Sequence, residues 1–153
     1  MSRRRAREFA LQALYGLDQA RDAPPGGMLS SLWAFQMDER GFDARPADSG
    51  EQEYAQKLVS GVEVRQTEID GLIEAASTNW RLARMPVVDR NLLRMATYEL
   101  MACHDVPASV AINEAVELAK RYGEKESRAF VNGILDRIAS ELGRGGRRHR
   151  GGR

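Results

Sequence analysis

Cysteine is nearly absent from this chain, which carries one thiol, Cys103, in 153 residues. One thiol cannot form a disulfide within the chain, and it cannot supply the several cysteines that structural zinc sites use. These two kinds of cross-link are therefore excluded. We expect Cys103 to be a small core residue, and we expect neither a metal ion nor another cofactor.

Long apolar runs are also missing. No segment approaches the roughly 18 to 20 apolar residues that a membrane-spanning helix needs. The first residues, MSRRRAREFALQALY, are basic, but apolar and polar residues alternate after the arginines, whereas a signal peptide has a continuous apolar stretch. Since 42% of the residues are hydrophobic and 29% are charged, the composition is that of a globular protein. We expect a cytoplasmic protein that does not associate with membranes.

The side chains that usually carry catalysis are few and scattered. The two histidines are His104, at the end of a predicted helix, and His149, close to the C-terminus. Neither is placed to act as a base toward Cys103 or a serine. The metalloprotease motif HExxH and the phosphate-loop motif GxxxxGK[ST] are absent. We therefore expect a binding protein and not an enzyme.

The net charge of +1 conceals a strong asymmetry along the chain. Residues 3–7 hold four arginines and residues 144–153 hold five, so 14 of the 23 basic residues remain to face 22 acidic ones. The body of the chain is thus acidic by about eight charges, with basic ends. Separated charge of this kind favours a polyanion at the basic ends and a basic partner on the acidic body.

Apolar residues recur at helical spacing through most of the chain, and no segment shows the sustained alternation of a strand. The sequence therefore predicts an all-α, single-domain bundle of about six to seven helices in residues 1–142. Two helical sub-bundles would divide near Gln66, and the pattern leaves open whether a helix breaks there. The predicted helices cover Arg3 to Ala20, Met28 to about Gly41, Glu51 to Ala76, Val87 to Asp105, and two parts of Val110 to Leu142.

The stretch VAINEAVELAKRYGEKESRAFVNGILDRIASEL, residues 110–142, reads as two amphipathic helices joined at Gly123. A glycine directly after the last periodic residue is typical of a left-handed C-terminal cap, and Lys120 and Arg121 suit the negative end of the helix dipole. Two helices joined so closely are expected to pack on each other or on a common core.

The arginines at the start of the first predicted helix lie at the positive end of its dipole, which costs about 0.3–1 kcal/mol for each charge at low salt. A phosphate bound there would turn this cost into a gain. A frayed, solvated basic terminus is the alternative. The Gly/Arg-rich segment 143–153 is predicted to be a disordered tail that either binds nucleic acid through its charge or keeps the protein soluble.

Phe130 lies about 100° from Val131 on a helix, which places its ring at the edge of the predicted core, near Arg128 and Asn132. Unpaired RNA bases stack on aromatic or guanidinium planes and donate or accept hydrogen bonds at their edges. Phe130 therefore has two interpretations: a residue that stacks on RNA, or a phenylalanine that completes the core.

Two blocks, RRRAREFALQALYGLDQ near the start and VAINEAVELAKRYG followed by FVNGILD, strongly resemble the NusB family of bacterial antitermination factors. The resemblance covers most of the chain. It implies an all-helical protein that binds the boxA element of ribosomal RNA operon transcripts together with NusE, a small-subunit ribosomal protein. It further implies assembly into the antitermination complex on RNA polymerase, without catalysis.

The resemblance also implies roles for individual residues. The arginine-rich start of the family corresponds to Arg3, Arg4, Arg5 and Arg7, and its RNA-contacting phenylalanine corresponds to Phe130. An acidic position shortly before that phenylalanine, linked to RNA contact, is Glu126 here, and Arg128 and Asn132 complete the predicted RNA-binding set. The predicted NusE-facing residues are Tyr15 and Asp89.

Other classes of function stay open at this point. The chain could be a helical interaction module with basic ends that serve only solubility, or a homodimer that hides the RNA-binding face. A similar domain also occurs at the N-terminus of an RNA methyltransferase family, although 153 residues leave no room for the catalytic part.

Overall fold

The computed structural model describes residues 1–19, 46–78 and 80–144. This part of the chain contains one short 3-10 helix, Leu82–Arg84, six α-helices and no strand, so the all-α prediction is confirmed for it. The α-helices are α1 Arg3–Gln19, α2 Ser49–Val64, α3 Gln66–Ala76, α4 Val87–Ala102, α5 Ala108–Tyr122 and α6 Ser127–Glu141. The predicted helix from Met28 to Gly41 and the tail after Arg144 lie outside the described residues.

The chain divides into two compact units, Met1–Glu63 and Val64–Arg153. The division falls close to Gln66, where two helical halves were expected. The helix predicted from Glu51 to Ala76 is two helices, because Arg65 leaves the helical conformation with φ −109° and ψ 23°. Gly61, Val62 and Val64 precede this residue, and glycine and β-branched residues are poor helix formers.

Hydrogen bonds cap the starts of α1 and α2, the two helices in the described part of the first unit. Ser2 caps α1, since its Oγ accepts the N–H of Arg5 at 3.2 Å. Asp48 and Glu51 form a reciprocal capping box at the start of α2: Asp48 Oδ1 accepts the N–H of Glu51 at 2.8 Å, and Glu51 Oε1 accepts the N–H of Asp48 at 3.1 Å. This box lies where the helix predicted from Glu51 begins.

The second unit buries the apolar faces of α3 to α6 in one core. Helices α5 and α6 pack against each other and against α4, as the spacing predicted, and α3 packs on α4 and α6. Arg94 of α4 holds Asp70 of α3 with two hydrogen bonds, at 2.9 and 3.1 Å. The fully buried residues include Ile69, Ile73, Leu92, Leu93, Met95, Leu100, Leu118, Ile134, Leu135 and Ile138.

Helix α6 ends in a Schellman motif. Gly143 has φ +75°, its N–H donates to the carbonyl of Ser140 at 3.0 Å, and the N–H of Arg144 donates to the carbonyl of Ala139 at 2.7 Å. The Arg144 side chain donates to the carbonyls of Leu100 and Val106 at 2.6 and 2.7 Å. These first two residues of the predicted tail are therefore part of the folded unit.

None of the helices in the described ranges is long and apolar enough to cross a membrane.

Candidate nucleic-acid interface

The arginines at the start of α1 have different environments. The Arg5 guanidinium contacts Glu51, with Nη1 and Oε1 2.6 Å apart and with 12% and 1% of the two side chains exposed. Glu51 also accepts the N–H of Ser2 at 2.9 Å. The carboxylate therefore lies where the positive end of the α1 dipole and the arginines need an anion. A protein side chain fills the role that the sequence left to a phosphate or to solvent.

The other three arginines differ in exposure. The Arg3 guanidinium lies over the ring of Tyr54, 4.5 Å from its centroid, and Arg7 lies 5.9 Å from the same centroid. Arg7 is only 3% exposed, whereas Arg4 is exposed and Arg3 is partly buried. Of this predicted set, Arg4 is the most available to a phosphate, and Arg5 and Arg7 help to hold the first unit together.

The second unit presents a pair of aromatic rings. Phe130, in the first turn of α6, is partly buried, and its ring packs against the indole of Trp80 with 5.5 Å between centroids and 57° between planes. Trp80 precedes the 3-10 helix and is 48% exposed. The ring of Phe130 thus lies at the edge of the core, as predicted, and it supports a second aromatic surface that faces solvent.

A cavity of about 230 Å³ opens beside this pair. Its lining is mainly apolar and also includes residues that carry carboxylates and a hydroxyl. It is lined by Trp80, Pro86, Asp89, Glu124, Glu126, Ser127 and Phe130. Carboxylates accept hydrogen bonds, so a flat apolar group with a hydrogen-bond donor at its edge fits this lining.

Three residues fix the wall of this cavity. Ser127 donates its hydroxyl to Asp89 Oδ1 at 2.7 Å and accepts the N–H of Glu124 at 3.0 Å. A Cβ at Gly123 would lie 2.6 Å from Ser127 Oγ and 2.9 Å from the Ala119 carbonyl. We call Gly123, Ser127 and Asp89 the bracket, because together they tie the turn before α6 to the start of α4.

The bracket corrects the interpretation of Gly123. The prediction that Gly123 ends α5 is confirmed, but its φ of −91° and ψ of −170° are extended and not left-handed. The residue must be glycine because Ser127 packs directly against its Cα, which is a tertiary reason that the local pattern does not contain. A left-handed capping glycine does occur, at Gly143.

The electrostatic state of Asp89 follows from its position. Burial raises the pKa of Asp89 above its ordinary value of 3.8, the hydrogen bond from Ser127 lowers it, and the negative charge of Glu124 raises it further. Asp89 is 3% exposed. Asp89 is therefore buried in the lining of the cavity. The family resemblance had instead implied a position on a surface that faces NusE.

The remaining predicted residues are exposed, and of these only Glu126 lies beside Phe130 in the cavity lining. Residues two apart on an α-helix point about 200° apart, so Arg128 and Asn132 do not flank the Phe130 ring as expected. Glu126 lines the cavity beside Phe130. Tyr15 is 42% exposed and belongs to the first unit.

The sequence reasoning missed Trp80, Ser127 and Glu124 as residues of this site. Trp80 belongs to no apolar stripe and lies between the two helices predicted at Glu51 to Ala76 and Val87 to Asp105. A large aromatic outside any helical period, close to Pro86, was the available signal. Ser127 and Glu124 carry no such signal, because their roles depend on Asp89, which is 38 residues from Ser127 along the chain.

The described residues form an all-α fold, with a partly exposed aromatic pair in one unit and arginines at a helix start in the other. These are features of a small helical binding protein. Comparison with known proteins gives its family. The sequence model of the NusB family matches residues 4–140. The chain belongs to the NusB family.

The similar proteins and solved structures are also NusB proteins. The transcription antitermination protein NusB of Anaeromyxobacter sp. (strain Fw109-5) is 49% identical over 142 residues, which cover 93% of this chain and 92% of that protein. NusB of Trichlorobacter lovleyi is 50% identical over 138 residues, or 89% of each chain. The structure of T. maritima NusB is 41% identical, with a TM-score of 0.80 and 92% of both chains covered. A structure of antitermination factors NusB and NusE in complex with dsRNA has a TM-score of 0.75 at 29% identity and covers 92% of this chain and 99% of that one.

Proposed function

We propose that this protein is a cytoplasmic RNA-binding transcription antitermination factor. It binds boxA RNA of ribosomal RNA operon transcripts, joins NusE, and helps to assemble the antitermination complex on RNA polymerase without catalysing a reaction. The observation that carries the proposal is the Trp80–Phe130 pair, an aromatic surface beside a mainly apolar cavity in a chain of the NusB family. A buried core needs no exposed tryptophan, whereas unpaired RNA is recognised by stacking on such rings.

The contacts divide between phosphate and base. In the first unit, Arg4 and the partly buried Arg3 supply salt-dependent attraction for phosphates. In the second unit, Phe130 and Glu126 contact unpaired bases and supply the sequence preference. Arg5 and Arg7 act through the fold, since Glu51 and Tyr54 already engage them.

The protein partner is proposed to use other groups. Tyr15 is an exposed aromatic on α1 and stays a proposed contact for NusE. The acidic body of the chain suits a basic ribosomal protein. Asp89, the other residue that the resemblance assigns to NusE, is buried, so we propose that it acts by holding Ser127.

Binding of short RNAs tests the proposal. The wild-type protein should bind a boxA RNA more tightly than a scrambled RNA at both low and moderate salt. Phe130→Leu should lose about 1–3 kcal/mol of boxA binding, because leucine fills the space but cannot stack. Arg4→Ala should lower the affinities for both RNAs to a similar degree and reduce the salt dependence of binding, since it removes a phosphate contact.

Two substitutions of exposed residues serve as controls. Val110→Ala removes a 40% exposed apolar side chain from α5, and Lys120→Ala removes one exposed positive charge from the same helix. Neither should change the preference for boxA. Equal binding of both RNAs that disappears with salt would contradict the proposal and favour a helical interaction module or a homodimer that hides the site.

A further inference from the structure

Trp80 is held in place although its side chain is 48% exposed. Its carbonyl accepts the hydroxyl of Ser77 at 2.9 Å, and the N–H of Leu82 donates to Glu74 Oε2 at 2.9 Å. Phe130 supports one part of the indole. Leaving so large an apolar surface in water costs free energy, so a fixed and exposed tryptophan calls for a ligand.

The cavity beside Trp80 defines the chemistry of that ligand. Its lining is mainly apolar, and the polar residues that contribute to it are Asp89, Glu124, Glu126 and Ser127, whose hydroxyl proton is already donated to Asp89. Carboxylates repel a phosphate and accept from N–H groups. At about 230 Å³ the cavity is smaller than the roughly 300–1,000 Å³ of pockets for drug-sized molecules, so it suits one ring system and not two.

We propose that this cavity binds one unpaired RNA base that carries an exocyclic amino group, with Trp80 as a second stacking residue beside Phe130. The inference rests on the proposed function and adds the residue and the selectivity. The base stacks on the indole and donates its amino group to the rim carboxylates, of which Glu126 and Glu124 are exposed. Cytosine, adenine and guanine carry such a donor, whereas uracil carries none and is disfavoured.

The backbone of the RNA can lie outside the acidic wall. Lys125 lies between the two rim glutamates in sequence, and its side chain is exposed. This cation suits a phosphate that flanks the bound base. Specificity then comes from the cavity, and the attraction of the backbone comes from the cation at its rim.

Matched RNAs test the selectivity without any change to the protein. In a boxA RNA, each cytidine is replaced in turn by uridine, each adenosine by purine riboside and each guanosine by inosine. These replacements lack the amino group, and the two purine analogues stack similarly to the bases they replace. One position should show a loss of affinity of roughly 10-fold to 100-fold, and the others should show little change. No sensitive position would overturn the inference.

Variants of the protein then locate the sensitive position. Trp80→Leu keeps an apolar side chain over Phe130 but cannot stack on a base, so it should lower the affinity for boxA RNA by a similar factor. Trp80→Phe should keep most of the wild-type affinity, because phenylalanine can stack. With Glu126→Gln, the penalty for uridine at the sensitive position should fall, since an amide both donates and accepts. Val110→Ala is the control. The melting temperature of each variant shows that it is folded.

The outcomes separate the inference from the function on which it rests. If the wild-type protein does not distinguish boxA from scrambled RNA, the proposed function fails, and the inference fails with it. If Phe130→Leu weakens boxA binding and Trp80→Leu does not, only the inference is overturned. The same holds if Trp80→Leu weakens binding of NusE and leaves RNA binding unchanged, because the cavity then accepts a basic side chain of the protein partner.

Discussion

At the scale of single residues, the most informative side chain of the first unit is Glu51. It is 1% exposed, caps its own helix, accepts the N–H of Ser2 and pairs with Arg5. Glu51→Ala removes all of these contacts and leaves the Arg5 charge poorly solvated, so we expect a loss of about 3 kcal/mol in the free energy of unfolding. Chemical denaturation measures it.

The matched control is Glu53→Ala, which removes an exposed glutamate from the same helix. It should change the free energy of unfolding by less than about 0.5 kcal/mol. Equal stability of the two variants would show that the Glu51 contacts do not hold the first unit together.

Asp89 gives a prediction about pH. Because burial raises its pKa, the folded protein binds this proton more readily than the unfolded chain, and ionisation of Asp89 lowers stability as the pH rises through that pKa. Asp89→Asn removes the charge and still offers an oxygen to Ser127. The variant should therefore be more stable than the wild type at pH 7, and the difference should shrink as the pH falls toward 3.8.

Thermal unfolding of the wild type and Asp89→Asn across this range measures the difference. Other carboxylates titrate in both proteins, so their effects largely cancel. A difference that grows on acidification would contradict the assignment of a raised pKa.

At the scale of elements, the bracket sets the start of α6, from which Phe130 projects. Gly123→Ala would place a Cβ 2.6 Å from Ser127 Oγ and 2.9 Å from the Ala119 carbonyl. The backbone oxygen cannot move aside cheaply, so we expect a loss of about 1–3 kcal/mol in the free energy of unfolding. Displacement of Ser127 should also weaken the binding of boxA RNA.

Gly133→Ala is the control for this substitution. Gly133 lies inside α6, and a Cβ added there would meet no atom of the described residues within 4 Å beyond the backbone of its own helix, so alanine adds no clash. Because alanine is the better helix former, this variant should gain up to about 1 kcal/mol. If both variants gained stability, the close packing of Ser127 on Gly123 would be wrong.

The elements also show what the sequence could predict. The helical spacing of Leu92, Leu93 and Leu100 correctly predicted a buried face on α4, which begins at Val87 directly after a proline, as expected. The helix was predictable because the local apolar spacing and burial in the core favour the same helix face. The conformation of Gly123 was predicted wrongly, because a capping glycine and a closely packed glycine look the same in the local sequence.

At the scale of the whole molecule, the two charge regions of the sequence have more specific roles than their totals suggested. Arg5 and Arg144 belong to the folded units, where they bind Glu51 and backbone carbonyls. The start of α1 therefore offers fewer arginines to RNA than were counted. The aromatic site was predicted only in part, since Phe130 could be found from its helical position but its partner Trp80 could not.

We propose that the protein recognises boxA RNA and that NusE strengthens this recognition. The most direct test measures the affinities of a boxA RNA and a scrambled RNA for the wild-type protein, with and without NusE, at one moderate salt concentration. We predict that boxA binds more tightly and that NusE increases the preference. Equal affinities that NusE leaves unchanged would contradict the account.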